Sequence, residues 1–220
     1  MSEAFLEAVK AGDGSKVRAM LEADPSLANA RTKDGTHGAV LALYHGHADV
    51  SRAILDRRPT LDLHAAATVG DLGRVRDLVE ADPASVHAYS GDGFAPLGLA
   101  AYTGRLDVVR YLLSKGADVN QVGRNPSKFT ALTGAVASRH RDVVAVLLEA
   151  GADPNYGYGG GYTPVLEAAA HGDIPLLELL VARGGDVTAE TEKGKTAVGL
   201  ALENGHPEAA AWLRARAAPG

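Results

Sequence analysis

The sequence predicts an all-α solenoid in which helix-turn-helix units stack side by side and short β-hairpin fingers join them. Two observations carry this prediction. The string Gly116–Asn120 recurs at 151–155 and, in part, at 184–187, with offsets of 35 and 33 residues. Each copy follows an apolar pair such as Leu112-Leu113. A fixed period of about 33 residues is typical of a linear array of similar supersecondary units.

Turn glycines set the register of the array. They stand at Gly12, Gly46, Gly70, Gly104, Gly172 and Gly205, with Arg139 in the equivalent place of the fifth unit. Glycine suits a sharp reversal after a helix because it adopts a positive φ at little cost. This recurrence predicts a single domain over residues 1–220. Its seven units are predicted at 2–29, 30–58, 59–88, 89–120, 121–155, 156–187 and 188–217.

The sixth unit shows why each half of a unit forms a helix. Thr163 can cap the first helix, and Pro164 suits its first turn. The alanines that follow let this helix lie close to its neighbours. The second helix, at 174–180, places its apolar residues at helical spacing.

One interval in the array is short. Gly46 and Gly70 are 24 residues apart, whereas the other intervals are 33 to 35 residues. The segment 57–62 passes almost directly into the next helix, so we expect one finger to be missing between the second and third units. The deletion either marks a bend or an opening in the binding face, or it is neutral.

Taken together, these motifs resemble the ankyrin repeat family. The family pattern is Thr-Pro-Leu-His-x-Ala-Ala, a Gly-His turn, Val-Val-x-x-Leu-Leu and Gly-Ala-Asp-x-Asn, and the resemblance covers nearly the whole chain. It implies a concave binding surface built from the fingers and the exposed side of each first helix. It also implies structural roles for His47, His64, His140 and His206, which fall on the histidines of the pattern.

Composition excludes several classes of function. The net charge is −5 and no lysine- or arginine-rich run is present, which argues against nucleic-acid binding. The chain has no cysteine, no apolar run long enough to span a bilayer and no signal-peptide pattern. We therefore expect a cytoplasmic, monomeric protein with no membrane contact. The excess of arginine over lysine points to a bacterial source.

Nothing in the sequence indicates catalysis. No Ser-His-Asp arrangement or paired carboxylates are visible. The glycine-rich segment 157–161 lacks the Gly-Lys-Ser/Thr ending of a phosphate-binding loop. We therefore predict a non-enzymatic protein with no catalytic residue, no metal and no cofactor.

The predicted function is protein–protein interaction, as an adaptor or regulatory protein that holds a protein partner on the concave face of units two to six. Aromatic residues concentrate on the fingers and at the first-helix ends, and such residues often dominate binding energy. The predicted contact residues are Tyr44, His45, Phe94, Tyr102, Thr103, Arg124, Asn125, Phe129, Tyr158, Tyr162, His171 and Lys195. Another interpretation is that the aromatic residues pack on one another and stiffen the array.

Two other functions stay open at this point. One is an enzyme or small-molecule binder that uses a groove formed by Tyr44, His45, Tyr102 and His171. The other is a self-associating structural module.

Overall fold

The computed structural model describes residues 1–217, which form fourteen α-helices and two short 3-10 helices. The α-helices are α1 Ser2–Lys10, α2 Gly14–Ala23, α3 Gly38–Tyr44, α4 Ala48–Leu55, α5 Leu63–Val69, α6 Leu72–Ala81, α7 Pro96–Tyr102, α8 Leu106–Ser114, α9 Ala131–Ala137, α10 Arg141–Glu149, α11 Pro164–Ala170, α12 Ile174–Val181, α13 Ala197–Glu203 and α14 Pro207–Ala217. The 3-10 helices are Pro25–Asn29 and Pro83–His87.

The helices pack in consecutive pairs, and the pairs stack in chain order. The odd-numbered helices form one row in which each helix contacts the next, from α1 to α13. The even-numbered helices lie behind them, with α6, α8, α10 and α12 also in contact along their row. This two-layer arrangement confirms the predicted all-α solenoid. The unit boundaries given above stay predictions.

Local signals explain where the first helices begin. The side chains of Thr130, Thr163 and Thr196 cap α9, α11 and α13 by accepting hydrogen bonds from backbone N–H groups in the first turn. Such caps satisfy donors that the helix itself leaves unpaired.

The fingers connect a second helix to the next first helix at every junction except the one between α4 and α5. Three contain an isolated antiparallel bridge, at Arg31–His37, Tyr158–Tyr162 and Glu190–Thr196. The finger at 89–94 closes through a hydrogen bond from the Ser90 backbone N–H to the Phe94 carbonyl oxygen. These are the predicted β-hairpins in a minimal form, too short to build a sheet within residues 1–217.

The histidines of the family pattern have the structural roles that the resemblance implies. A Cβ atom added to Gly12, Gly104 or Gly172 would lie within 2.6 Å of a histidine ring in the following unit, in each case the histidine beside the next turn. Those rings belong to His47, His140 and His206. The Nε2 atom of His64 lies 3.1 Å from the Ala88 carbonyl oxygen, at the end of the same unit.

No finger connects α4 to α5 in the structure, as the sequence predicts. Residues 56–62 alone connect α4 to α5. Because no finger intervenes, the fingers on either side meet directly, and a Cβ atom added to Gly91 would lie 2.6 Å from the Asp34 carbonyl oxygen. The buried core falls into two clusters that meet near this point. One lies in α1 to α4, and the larger one runs from Leu61 to Leu213 and also includes Val40 of α3, while Leu55 and Val69 pack against both.

Candidate functional site

Four of the predicted contact residues line one apolar cavity. Tyr44, Phe94, Tyr102 and Phe129 surround a space of about 270 Å³, and we call this the aromatic pocket. Tyr44 and Tyr102 are 41% and 43% exposed, which is unusual for large apolar side chains in this structure. The structure thus brings together, in one pocket, predicted contact residues from four separate segments of the chain.

Helix ends and fingers position these four rings. Tyr44 and Tyr102 are the last residues of α3 and α7, and the two phenylalanines lie at the base of the fingers that precede α7 and α9. Gly98 and Gly134 lie between them on α7 and α9 and also line the pocket. No heavy atom lies within 4 Å of the place where a Cβ of Gly98 would be. The pocket therefore exists partly because position 98 on α7 is a glycine. We call the odd-numbered helices, which form one row, the inner helices.

The aromatic rings of a second group pack on one another, in keeping with the interpretation that such residues stiffen the array. The Phe129 and Tyr158 rings meet edge to face with centroids 4.9 Å apart, and Tyr162 is tilted against Tyr158 at 6.5 Å. Tyr158 is only 8% exposed, and its hydroxyl donates to the Glu167 carboxylate at 3.0 Å. Burial, together with the nearby Glu167 charge, raises the pKa of the Tyr158 phenol. The prediction of Tyr158 as a contact residue is therefore corrected, because its ring and hydroxyl are both used inside the array.

Three predicted polar contact residues also make contacts within the chain. The Thr103 hydroxyl donates to the carbonyl oxygens of Thr68 and Leu99. The Arg124 guanidinium lies over the Tyr89 ring, 4.0 Å from its centroid.

Asn125 is similarly committed. Its side-chain N–H donates to the Asp92 carbonyl oxygen at 3.0 Å. These groups make contacts within the array, and Thr103 and Asn125 stay predicted contact residues for a partner. Arg124 keeps an exposed side chain.

The remaining predicted residues lie outside the aromatic pocket. His45 is exposed and its ring is parallel to that of His47, with centroids 6.4 Å apart. His171 lies 3.5 Å from the Glu167 carboxylate, four units further along than His45. Lys195 is exposed and forms an ion pair with Glu203. The structure therefore separates the two histidines that the alternative groove would have joined.

A polar cavity of about 120 Å³ adjoins the aromatic pocket where the finger is missing. Arg31, His37, Asp62 and His64 contribute to its lining, and Tyr44 lines both spaces. Arg31 pairs with Asp62 at 2.6 Å. These residues were missed by the sequence analysis, because the cavity depends on contact between fingers that are not neighbours in the regular array.

His37 has an unusual environment in this polar cavity. It is 1% exposed, and its Nδ1 atom accepts a hydrogen bond from the Ala39 backbone N–H at 3.1 Å. Its Nε2 atom is buried and has no hydrogen-bond partner within residues 1–217. Burial, aided by the Arg31 charge, lowers the pKa of His37 to about 4. The ring is therefore neutral at pH 7 and acts as the N-cap of α3.

Asp92 lies between the aromatic pocket and the polar cavity. It too was not predicted as a site residue from the sequence. It lies at the tip of the finger at 89–94 and lines both cavities. The Tyr44 hydroxyl donates to its carboxylate over 3.4 Å. Burial, with a contribution from Asp92, raises the pKa of the Tyr44 phenol, so that this hydroxyl stays protonated.

Two other kinds of feature are absent from the described part of the chain. Within residues 1–217, no three His, Asp or Glu side chains are grouped so that they could hold a metal ion. Over the same range, none of the helices has the length and apolar character needed to cross a membrane.

Comparisons with known proteins agree with the fold. The family model for ankyrin repeats, described as three copies, matches residues 63–158. Cyclin-dependent kinase 4 inhibitor B of Bos taurus is 37% identical over 131 residues, which is 58% of this chain and 95% of that protein.

Longer relatives match over a smaller share of their own length. Ankyrin repeat and SAM domain-containing protein 6 of Rattus norvegicus is 37% identical over 107 residues, 49% of this chain. Palmitoyltransferase ZDHHC17 of Danio rerio is 34% identical over 117 residues, 53% of this chain. The chain spans only 12% and 18% of these two proteins. The family match, the near-complete coverage of the kinase inhibitor and the stacked helix pairs lead to one conclusion: the chain belongs to the ankyrin repeat family.

Proposed function

We propose that this chain is a non-enzymatic interaction module, an adaptor or regulatory protein that holds a protein segment against the fingers and first helices of units two to six. The observation that carries the proposal is the exposure of Tyr44 and Tyr102 on either side of the aromatic pocket. Neither ring is stacked on another aromatic ring within residues 1–217. Exposed tyrosines beside an apolar pocket are typical of binding hot spots.

The relatives support the same class of function. Ankyrin repeats generally act as protein-binding modules, and one relative is named as an inhibitor of a kinase. An inhibitor acts on its target by binding to it. We propose the same mode of action here, on a partner of unknown identity. The cytoplasmic location, the monomeric state and the bacterial source stay predictions.

A small molecule is the second candidate occupant of the aromatic pocket. Sites for drug-sized ligands usually span roughly 300–1,000 Å³, and the pocket has about 270 Å³. That volume favours a single side chain or a very small ligand. The alternative of an enzyme loses support because His45 and His171 line neither the aromatic pocket nor the polar cavity.

Self-association is the third candidate. Leu202, on the last inner helix, is 46% exposed. It is a single apolar side chain, and isolated exposed side chains of this kind are common on monomers. Light scattering across a range of protein concentrations tests this candidate directly.

The test of the proposed function is a comparison of two glycine variants. Gly98→Leu projects a side chain into the aromatic pocket, where the structure has open space. Gly73→Leu is the matched control, because Gly73 is an exposed helical glycine on α6. A partner is first identified by affinity capture and mass spectrometry, and its affinity is then measured with purified proteins.

We expect Gly98→Leu and Tyr102→Ala each to weaken binding by about 30-fold, the effect of losing a hot spot of about 2 kcal/mol. Gly73→Leu should bind as the unmodified chain does. Unchanged affinity in both pocket variants, with helical content preserved, would show that the partner docks elsewhere.

A further inference from the structure

The aromatic pocket contains one carboxylate, and that carboxylate lacks a cationic partner. Asp92 is the single acidic side chain among the lining residues. Its carboxylate accepts hydrogen bonds from the Ser90 hydroxyl and, over 3.4 Å, from the Tyr44 hydroxyl. No lysine or arginine within residues 1–217 forms an ion pair with it.

Two arginines on the neighbouring fingers make other contacts. The Arg31 guanidinium donates to Asp62 at 2.6 Å and to the Gly35 carbonyl oxygen at 3.0 Å. Arg124 lies over the ring of Tyr89. Asp34, at the tip of the neighbouring finger, adds a second carboxylate that forms no ion pair within the described residues. Asp92 therefore gives the lining of the aromatic pocket one negative charge, in a chain with a net charge of −5.

We propose that the aromatic pocket binds the side chain of an N-methylated lysine carried by the partner segment. This inference rests on the proposed function and specifies the chemistry of the residue that anchors the partner. Aromatic ring faces attract cations, and cages of aromatic rings bind methylated ammonium groups. Asp92 supplies a neutralising charge at the edge of that cage.

The supply of hydrogen-bond acceptors favours a methylated over an unmodified lysine. An ammonium group brings three N–H donors, which lose their water on entering the pocket. The Ser127 hydroxyl is already engaged, donating to Asn125 at 2.5 Å, and the Thr130 hydroxyl caps α9.

A dimethylammonium group makes a closer match to this pocket. It carries one N–H donor, which Asp92 can accept, and two methyl groups, which can contact the rings. It also keeps its positive charge. An uncharged apolar side chain would fill the same space but would leave the Asp92 carboxylate beside it without a counter-ion.

Space for this group comes from Gly98 and Gly134 on the inner helices. Gly134 lies against Tyr102, since an added Cβ atom would be 3.6 Å from the Tyr102 Cβ. An alanine or a leucine at position 134 would therefore reduce the room beside Tyr102. A Cβ atom at Gly98 would meet no heavy atom within 4 Å, so Gly98→Leu serves as the blocking variant.

The experiment uses libraries of short random peptides that share a fixed central residue. The central residue is lysine, dimethyl-lysine, trimethyl-lysine or norleucine, the last as an uncharged chain of similar length. Enrichment on the immobilised full chain is measured for the unmodified protein, for Asp92→Asn and for Gly98→Leu. Asp34→Asn is the matched control, because Asp34 occupies the same turn position one finger away and does not line the aromatic pocket.

We expect dimethyl-lysine peptides to bind about tenfold more tightly than both lysine and norleucine peptides, in keeping with a desolvated cation–π contact. Asp92→Asn should remove most of this preference, Asp34→Asn should keep it, and Gly98→Leu should abolish binding. Equal or tighter binding of norleucine peptides would overturn the inference while leaving the proposed function in place. Enrichment of no peptide from any library would count against both.

Discussion

The Arg139 Nε atom lies 3.4 Å from the Asp173 Oδ2 atom, in the position where other units place a turn glycine beneath a histidine ring. His140 packs in that way over Gly104. Arg139 takes the place of the glycine and has a φ of 61°. Asp173 takes the place of the histidine, so an ion pair replaces a packing contact at this boundary.

Asp173 connects several parts of this boundary, and its removal should destabilise the fold. Its fully buried side chain accepts a hydrogen bond from the Leu176 backbone N–H, which caps α12, and another from Arg141 at 2.9 Å. We expect Asp173→Ala to lower the free energy of unfolding by about 1–2 kcal/mol, mainly through the lost cap. Both arginines are about half exposed, so leaving them unpaired adds little. Urea denaturation measures the difference.

Low pH should remove part of the stabilisation that Asp173 gives to the fold. Burial by itself would raise the pKa of Asp173, but the hydrogen bonds from Arg141 and Leu176 outweigh it and leave the pKa below its ordinary value. A carboxyl group with a lowered pKa stabilises the fold above the unfolded value of about 3.9 and loses that effect as the pH falls further. The stability difference between the unmodified chain and Asp173→Asn should therefore shrink below about pH 4. A constant difference from pH 6 to pH 3 would contradict this assignment.

Two glycine-to-alanine variants should separate backbone strain from a side-chain clash. Gly104 and Gly116 both have a positive φ, at 69° and 84°. A Cβ at Gly104 would lie 2.6 Å from the His140 ring, whereas a Cβ at Gly116 meets nothing within 4 Å. We expect Gly116→Ala to cost about 1–2 kcal/mol from strain alone. Gly104→Ala should cost about 1–3 kcal/mol more because the ring must move.

A second substitution checks the cause of that added cost. Removing the ring with His140→Ala in the Gly104→Ala background should make the alanine at position 104 no more costly than at 116. Thermal or urea denaturation of these three variants and of His140→Ala alone gives the comparison. An added cost that survives the loss of the ring would place the strain in the backbone.

His37 should make the fold sensitive to mild acid. Its pKa of about 4 lies below the ordinary value of 6.5, so the unfolded chain takes up a proton in this range before the folded chain does. Stability should therefore fall as the pH drops from about 6.5 to about 4, by up to about 3 kcal/mol. The group is almost fully buried, and so solvent screening is small.

His37→Thr is the variant that tests this effect. Threonine already caps the first helix at positions 130, 163 and 196, so it should keep the cap of α3. We expect the difference in unfolding free energy between the two proteins to change steadily with pH over this range, in favour of the threonine variant at low pH. If the unfolding free energies of the two proteins change with pH in parallel, His37 is not the titrating group.

Much of the fold could be predicted because its signals are local. The threonine caps, the turn glycines and the paired leucines each specify a helix end or a buried stripe within a few residues. The aromatic lining of the pocket could be predicted too, since Tyr44 and Tyr102 hold the same place in two units. Their repetition at a site that the fold does not need to bury was the useful signal.

Asp92 and His37 could not be predicted as site residues, and the reason is physical. Their role depends on contact between two fingers, which meet because a third is missing, and no local pattern encodes that distance. Tyr158 was predicted as a contact residue because nothing in the local sequence shows that its side chain packs against other segments. In the structure, contacts with Phe129 and Glu167 order it.

The division of the core at the missing finger should produce two regions of different stability. Leu21 and Leu112 are both fully buried leucines on second helices, but Leu21 belongs to the cluster of α1 to α4 and Leu112 to the larger one. Stability in repeat arrays is roughly a sum of unit and interface terms. A poorly coupled boundary lets one side open alone.

We therefore expect Leu21→Ala and Leu112→Ala to have similar local costs, about 2–5 kcal/mol each, but effects in different places. Hydrogen exchange should show loss of protection in α1 to α4 for Leu21→Ala, with α7 to α12 unchanged. For Leu112→Ala the loss should be greatest in α7 to α10. Equal loss of protection along the whole chain in both variants would mean that residues 56–62 couple the two clusters as tightly as a finger does elsewhere.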